Sequence, residues 1–393
     1  MKKLLLASVA ALVAGAASAE EIKMGISLGF TGPLESMAPA MASGAELAYK
    51  EVSDSGKLLD GATITAVRSD STCTDAAAAT AGVEKLITTD GVKGIVGGMC
   101  SGEATASLQN AAMPNGVVMI APSATSPALS TLEDNGLFFR TAPSDARQGE
   151  VLAQVLMDKG IKDVAVTFTN NDYGKGLSES FAAAYTAKGG KITINAPHDD
   201  GKADYSPEVG ALAAAGGSAL VVAGYADQGG AGILRGALDQ GAFTQFVLPD
   251  GMMGTSLEEK FGKELDGAIG LSPASAGPGR DKFDEIGKAA GFDPTAPFSA
   301  ESYDAAALMM LAMQAAKSSD PKVWKDKVMD VANAPGEKIL PGELAKGLEL
   351  LAAGTDIDYV GASSVELVGQ GESAGSYRET VMKDGKFSVV TYH

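Results

Sequence analysis

The hydrophobic pattern of this chain switches repeatedly between a two-residue and a 3.6-residue period, and this restricts the fold more than any other feature. Glu21–Leu28 puts Ile22, Met24, Ile26 and Leu28 on one side of a strand. Met41, Ala45, Ala48 and Val52 then recur at helical spacing. Ala62–Arg68 reads as a second strand, followed by a helix that Asp75 would cap. Gly94–Gly98 reads as a short buried strand, Glu103–Ala112 as a helix and Val117–Ile120 as a strand. The beat resumes after residue 140. Helices at Gln148–Met157, Leu177–Ala187, Glu208–Ala215 and Gly230–Leu238 alternate with strands at Val164–Phe168, Lys191–Asn195, Leu220–Ala223 and Gln245–Leu248. Strands separated by helices of this length imply parallel sheets covered on both faces. One sheet ends near residue 140 and another starts near 163, so the predicted fold is α/β, with two doubly wound parallel-sheet lobes. The tail differs: Glu301–Ala316, Val323–Val331 and Gly342–Leu351 read as helices, and Ser364–Val368, Tyr377–Met382 and Lys386–Thr391 as strands. Lys383-Asp384-Gly385 reads as a hairpin turn. No low-complexity linker separates the lobes, so short direct crossovers would act as a hinge.

Residues 1–19 read as an export signal: Lys2 and Lys3 are followed by the apolar run Leu4–Val13 and the small-residue site Ala17-Ser18-Ala19. That run is shorter than the ~20 residues that span a membrane, and no later stretch is long enough. Removing 19 of 393 residues leaves 374. The full chain has 31 Lys+Arg against 49 Asp+Glu, a net charge of −18, which the loss of two lysines deepens to −20. Such an acidic surface repels a phosphate backbone and argues against nucleic acid as a partner. The expected product is soluble and exported to the periplasm.

Cys73 and Cys100 are the only cysteines. In an oxidising compartment an even pair reads as one disulfide, with two buried thiols as the lesser alternative. The chain-entropy account gives a loop of about 28 residues ~3–4 kcal/mol. His198 and His393 are the only histidines and neither has a ligand-spaced soft donor, so no metal is expected. Asp199, Asp200 and Asp204 lack the spacing and closing Glu of a calcium loop. Neither a G-x-G-x-x-G nor a phosphate-binding G-x-x-x-x-G-K-[ST] occurs, so no nucleotide cofactor is expected.

Two segments match the G-x-S-x-G elbow of serine hydrolases, centred on Ser27 and Ser373. An elbow needs a strand before it and a helix after. Ser27 lies inside the first strand, and Ser373, although followed by Asp384 and His393, precedes a hairpin pattern. Glycine-rich turns explain both matches better than catalysis does.

The ends of the predicted strands are more informative, because open parallel sheets bind ligands there. They carry Met99-Cys100-Ser101-Gly102, Pro122-Ser123-Ala124-Thr125, Asn171-Asp172-Tyr173-Gly174, Gly224-Tyr225 and Pro249-Asp250-Gly251. The first two offer hydroxyls and helix N-terminal N–H groups, which suit a carboxylate. Asp250 suits an ammonium, and the tyrosines offer flat walls. Each residue has an ordinary explanation as a cap, turn or packing residue. Together they suit a zwitterion held between two lobes.

At this level of detail the chain resembles the periplasmic binding proteins of ABC transporters that carry leucine, isoleucine and valine. The resemblance runs from Ile22-Lys23-Met24-Gly25 and Thr31-Gly32-Pro33 through Cys73, Cys100-Ser101 and Pro122-Ser123-Ala124-Thr125. It continues through Phe139-Arg140-Thr141, Tyr173-Gly174-Lys175-Gly176, Gly224-Tyr225, Asp250-Gly251 and Tyr303-Asp304-Ala305. It implies a type I binding fold with three crossovers, and a bond between Cys73 and Cys100. It implies lobes at 20–141 plus 273–350 and at 142–272 plus 351–393. By the resemblance, Ser101 and Thr125 would hold a ligand carboxylate, while the Ser123 carbonyl and Asp250 would hold the ammonium. Ala124 would belong to the same loop, Tyr173 and Tyr225 would close over the ligand, and Phe298 would line the side-chain pocket. The chain departs from the family at Met37, where an aromatic residue is common, at Asp250, where Glu is expected, and at Gly102, where a second serine is common.

The resulting expectation is a non-catalytic, monomeric receptor that binds an aliphatic amino acid without a cofactor and delivers it to a membrane ABC permease. The alternatives are the same fold binding an amide, urea-like solute or aromatic acid, a sensing rather than transport role, and an exported serine hydrolase.

Overall fold

A computed structural model describes residues 20–393. The expected export signal at 1–19 lies outside them. The strands are β1 (Glu21–Leu28), β2 (Thr63–Asp70), β3 (Ile95–Val96), β4 (Met119–Ala121), β5 (Phe138–Pro143), β6 (Asp163–Thr169), β7 (Lys191–His198), β8 (Ala219–Ala223), β9 (Phe246–Leu248) and β10 (Ile269–Pro273). They continue with β11 (Glu337–Ile339), β12 (Ile357–Tyr359), β13 (Leu367–Val368), β14 (Glu372–Ser373), β15 (Tyr377–Lys383) and β16 (Lys386–Tyr392).

One seven-stranded sheet runs β13-β14-β5-β4-β3-β1-β2 and the other β16-β15-β10-β9-β8-β6-β7. β1 to β5 pair in parallel, as do β6 to β10. Both sheets reverse strand order beside their first strand, at β1/β3 and β6/β8, and these are the switch points where such sheets bind ligands. The architecture is therefore α/β, with two doubly wound lobes of the type I binding fold.

β1 shows why its pattern was half alternating. Its start exposes Glu21 and Lys23, but Gly25–Leu28 is buried throughout, because it lies between β2 and β3 under helices on both faces. Asp75 caps its helix as expected, accepting the N–H groups of Ala77 and Ala78 at 3.0 Å each. Helix Ser299–Ala316 is buried around almost its whole circumference, matching its lack of a polar face. Among the described residues no helix is long and apolar enough to cross a membrane.

The chain passes between the sheets three times, after β5, after β10 and after β14. The crossovers are tied together: Ala274 N–H donates to Ser376 O at 3.1 Å, and Tyr377 Oη–H to Ser144 O at 3.2 Å. The tail divides differently from the expectation that 351–393 belongs to the second lobe. β14 pairs with β5, Glu372 against Arg140, and carries β13 with it into the first sheet. Only β15 and β16 join the second sheet, as a hairpin whose Asp384 and Gly385 both have positive φ (53° and 77°), as a two-residue turn requires.

Helix Asp172–Ala187 starts five residues before the expected Leu177. Asn171 caps it by accepting Gly174 N–H at 3.0 Å, so the supposed loop at Tyr173 is already its first turn.

Cys73 and Cys100 form a disulfide, with Cα atoms 5.2 Å apart. It joins the segment after β2 to the start of helix Ser101–Ser107.

Candidate functional site

The strand ends of the two lobes converge on one small cavity. Ser101, Ser123 and Phe298 line it together with Tyr173, Tyr225 and Asp250. Leu34, Met99, Cys100 and Gly251 complete the wall. Six of the nine residues singled out for ligand contact thus share one cavity. Three do not line it: Met37, Ala124 and Thr125.

Each of the three has a structural reason. Met37 is buried behind the loop and borders a separate groove with Gly254 and Pro297, while Leu34, directly after Pro33, takes the place on the cavity wall. The Ala124 carbonyl is turned away and accepts from Arg140 Nη1 at 3.2 Å. Thr125 is buried, its carbonyl accepts the N–H of Asp145 at 2.8 Å, and its Oγ1 has no hydrogen-bond partner.

The first-lobe wall is held by its own hydrogen bonds. Ser123 Oγ donates to Met99 O at 2.8 Å, and Ser126 N–H donates to Ser101 Oγ at 3.1 Å. These join the loops after β3 and β4. Glu103, one turn into helix Ser101–Ser107, reaches back with Oε1 to accept Met99 N–H at 2.6 Å, Cys100 N–H at 3.1 Å and Ser71 Oγ–H at 3.1 Å. Burial pushes its carboxyl up to about 7 against these donors. Arg140 lies behind this wall, with 1% of its surface exposed. Its guanidinium donates to the carbonyls of Ala124 and Ser126, to Ser130 Oγ and to Glu372. A buried guanidinium thereby fixes the Ser123–Ser126 loop.

The second-lobe wall is a stacked pair. The rings of Tyr173 and Tyr225 are 5.2 Å apart and tilted by 12°. Tyr173 Oη–H donates to Asp250 Oδ1 at 2.6 Å and accepts Gly251 N–H at 3.1 Å. Asn171 Nδ2–H donates to Tyr225 Oη at 3.2 Å. Burial, then the negative charge of Asp250, holds the Tyr173 hydroxyl well above its ordinary pKa, so it stays neutral while donating to Asp250 and accepting from Gly251.

Two residues that sequence reasoning did not assign to a site stand behind Asp250. Asp145 opens helix Asp145–Asp158, and Gln148 lies one turn on. With its amide nitrogen toward the acids, Gln148 donates to Asp145 Oδ1 at 3.0 Å and to Asp250 Oδ1 at 3.1 Å. The sequence reading places Gln148 only at the start of a helix. The Ser144 N-cap signal just before Asp145 could have placed it at a helix start, but not beside Asp250.

The lobes also touch outside the cavity. Asp227 N–H donates to Pro33 O at 3.1 Å, and Asp227 Oδ2 accepts Ser36 N–H at 3.0 Å. At the other lip Gly176 meets the Ser126-Pro127 turn, where a Cβ would stand 2.7 Å from Pro127 Cδ.

The other motifs have structural explanations. Ser27 is fully buried within β1, and Ser373 lies in β14, which is followed by β15 rather than by a helix. His393 Nε2 is 2.9 Å from Glu379, not paired with Ser373. His198 is buried against Thr167, and burial lowers its pKa to about 4. Asp200 accepts from Thr169 on β6 and from Gly229 N–H, tying its loop to both, and Asp204 accepts from Ser206 within its own turn. Among the described residues no group of three or more His, Cys, Asp or Glu is placed to hold a metal ion.

Two doubly wound lobes closing on a cavity at their switch points define the class of two-lobed cleft-binding folds. The chain belongs to the periplasmic binding protein family, whose profile matches residues 21–332. A Leu/Ile/Val-binding protein homolog from Brucella melitensis is 30% identical over 347 residues, 86% of this chain and 89% of that protein. In fold the chain is similar to the branched-chain amino acid transporter substrate-binding protein LivJ of Streptococcus pneumoniae, solved with isoleucine. The TM-score is 0.78 at 24% identity, covering 94% of this chain and 99% of that one. It is also similar to a Rhodopseudomonas palustris solute-binding protein solved with 4-hydroxybenzoate. The TM-score is 0.75 at 17% identity, covering 95% and 97%.

Proposed function

We propose that this protein is a periplasmic, non-catalytic receptor that binds an aliphatic amino acid, of branched-chain type, and presents it to an ABC permease. The observation that carries this reading is the polarity of the cavity. Asp250 stands at its second-lobe end, and the Ser101 and Ser123 loops with a helix N-terminus stand at the other. Leu34, Met99 and Phe298 form an apolar side between them. An ammonium pairs with Asp250, a carboxylate takes N–H and hydroxyl donors, and an alkyl side chain meets the apolar wall. Burying both charges is tolerable only if each is paired. Only the closed arrangement supplies both lobes at once, so ligand favours closure.

An aromatic acid is the second reading, favoured by the stacked tyrosines and by the neighbour solved with 4-hydroxybenzoate. Such a ligand brings no cation to Asp250. A thermal-shift screen of the twenty amino acids, with amides and aromatic acids alongside, separates the two. Leucine, isoleucine or valine should raise Tm, by the equivalent of about 2.7 kcal/mol at a hundredfold excess over Kd. A rise with aromatic acids or amides alone overturns the amino-acid reading.

Closure has its own test. Gly176→Val should disfavour the closed arrangement, because the atoms nearest an added Cβ, Pro127 Cδ and Ser126 Oγ, lie across the cleft. Overpacking of about 1–3 kcal/mol confined to the closed state would weaken leucine binding roughly ten- to a hundredfold by calorimetry. Unchanged affinity would mean that the Gly176–Pro127 approach is not part of the bound state.

A further inference from the structure

Two carboxyl groups, not one, lie at the amine end of the cavity. Asp145 and Asp250 are both buried, from different lobe elements, and share the Gln148 amide as a common donor. The two are not equivalent. Asp250 Oδ1 also accepts from Tyr173, and Asp250 borders the cavity. Asp145 does not border it, and its Oδ2 is buried with no hydrogen-bond partner. The Thr125 hydroxyl lies beside it and favours the ionised carboxylate, although neither it nor Asp145 Oδ2 reaches a partner in hydrogen-bond geometry.

The surrounding charges do not compensate Asp145. Arg140 on β5 is the nearby buried cation, but its Nη donors serve Ala124, Ser126, Ser130 and Glu372. Arg147 on its own helix is about half exposed and points to Glu150. Tyr377 on β15, Tyr173 and Tyr225 face the pair as neutral hydroxyls, and the remaining group is Asp250 itself. Two adjacent buried carboxylates without a dedicated cation cannot both ionise cheaply.

We propose that Asp145 is a neutral, proton-bearing partner of Asp250, so that the amine end of the cavity carries one negative charge, matched to a monocation. Asp145 is then a positioning residue: through Gln148 it orients Asp250 without adding charge. Burial first and then the Asp250 charge favour its protonated form, and they outweigh the Thr125 hydroxyl and the Arg140 charge, which favour the ionised one. The proposal rests on the amine-binding reading above, but it concerns the empty protein as well.

The test compares the full chain with Asp145→Asn, whose amide copies a neutral acid, and with Asp250→Asn. Calorimetry with leucine at neutral pH should give Asp145→Asn an affinity within about threefold of wild type, and Asp250→Asn a loss of about a hundredfold or more. Thermal unfolding of the empty proteins gives a readout that packing alone would not move. A carboxyl whose folded pKa is raised holds a proton that the unfolded chain has released. Wild-type stability should therefore be highest below the ordinary aspartate pKa and fall, relative to Asp145→Asn, as pH rises toward the folded value. Parallel pH profiles would overturn the proposal, and so would an Asp145→Asn protein that fails to fold or loses leucine as severely as Asp250→Asn does. If leucine binds to none of the three while the profiles still diverge, the ligand reading fails and the proton assignment stands.

Discussion

Asp250→Asn should abolish tight amino-acid binding while leaving a folded protein. Asp250 accepts from Tyr173 and from Gln148, and it borders the cavity where an ammonium would sit. Removing one member of a buried, hydrogen-bonded charge pair costs about 3–5 kcal/mol, because the other charge stays buried and unpaired. That is a loss of two to four decades in Kd, which calorimetry resolves easily. The empty protein should melt no lower than wild type, since the substitution removes a buried charge and keeps the shape. A leucine affinity within threefold of wild type would show that the ammonium does not pair with Asp250.

Arg140→Met should have an effect of similar size on stability. The side chain is buried, and its guanidinium satisfies two carbonyls of the Ser123–Ser126 loop while pairing with Glu372 on β14. Methionine fills much of the volume but donates nothing. Two buried carbonyls and one half-buried carboxylate would lose their partner, an expected cost of about 3–5 kcal/mol and roughly ten degrees in Tm. Because β14 enters the first sheet beside Arg140, the loss should appear in the midpoint of chemical unfolding as well as in ligand affinity. A cost under about 1 kcal/mol would mean that water replaces the guanidinium and that the loop is held by its other bonds.

Much of the site was legible because its residues follow strands. Ser101, Ser123, Tyr173, Tyr225 and Asp250 all lie just beyond the carboxyl end of a predicted strand, and that rule needs only the hydrophobic period to apply. What local pattern could not supply was orientation. Ala124 and Thr125 share a tetrapeptide with Ser123, yet Arg140 and Asp145 claim their carbonyls. Met37 occupied the expected position in the sequence, but the turn after Gly32-Pro33 brings Leu34 to the wall instead. Asp145 and Gln148 carried no sign of their place, because nothing in a helix start says which acid on another element it will face.

The alternation of periods, by itself, determined the two doubly wound lobes, since each strand must bury both faces and each helix one. The Asp75 cap and the Asp384-Gly385 turn followed equally from local chemistry, because a cap or a tight turn is settled within four residues. Tertiary structure alone decided that β13 and β14 cross back to the first sheet, that Arg140 braces the cavity wall, and that Asp145 stands behind Asp250. These depend on partners more than a hundred residues apart, as with Arg140 and Glu372, or on which face of a loop turns inward. A sequence pattern records how often a residue is buried, but not what it is buried against.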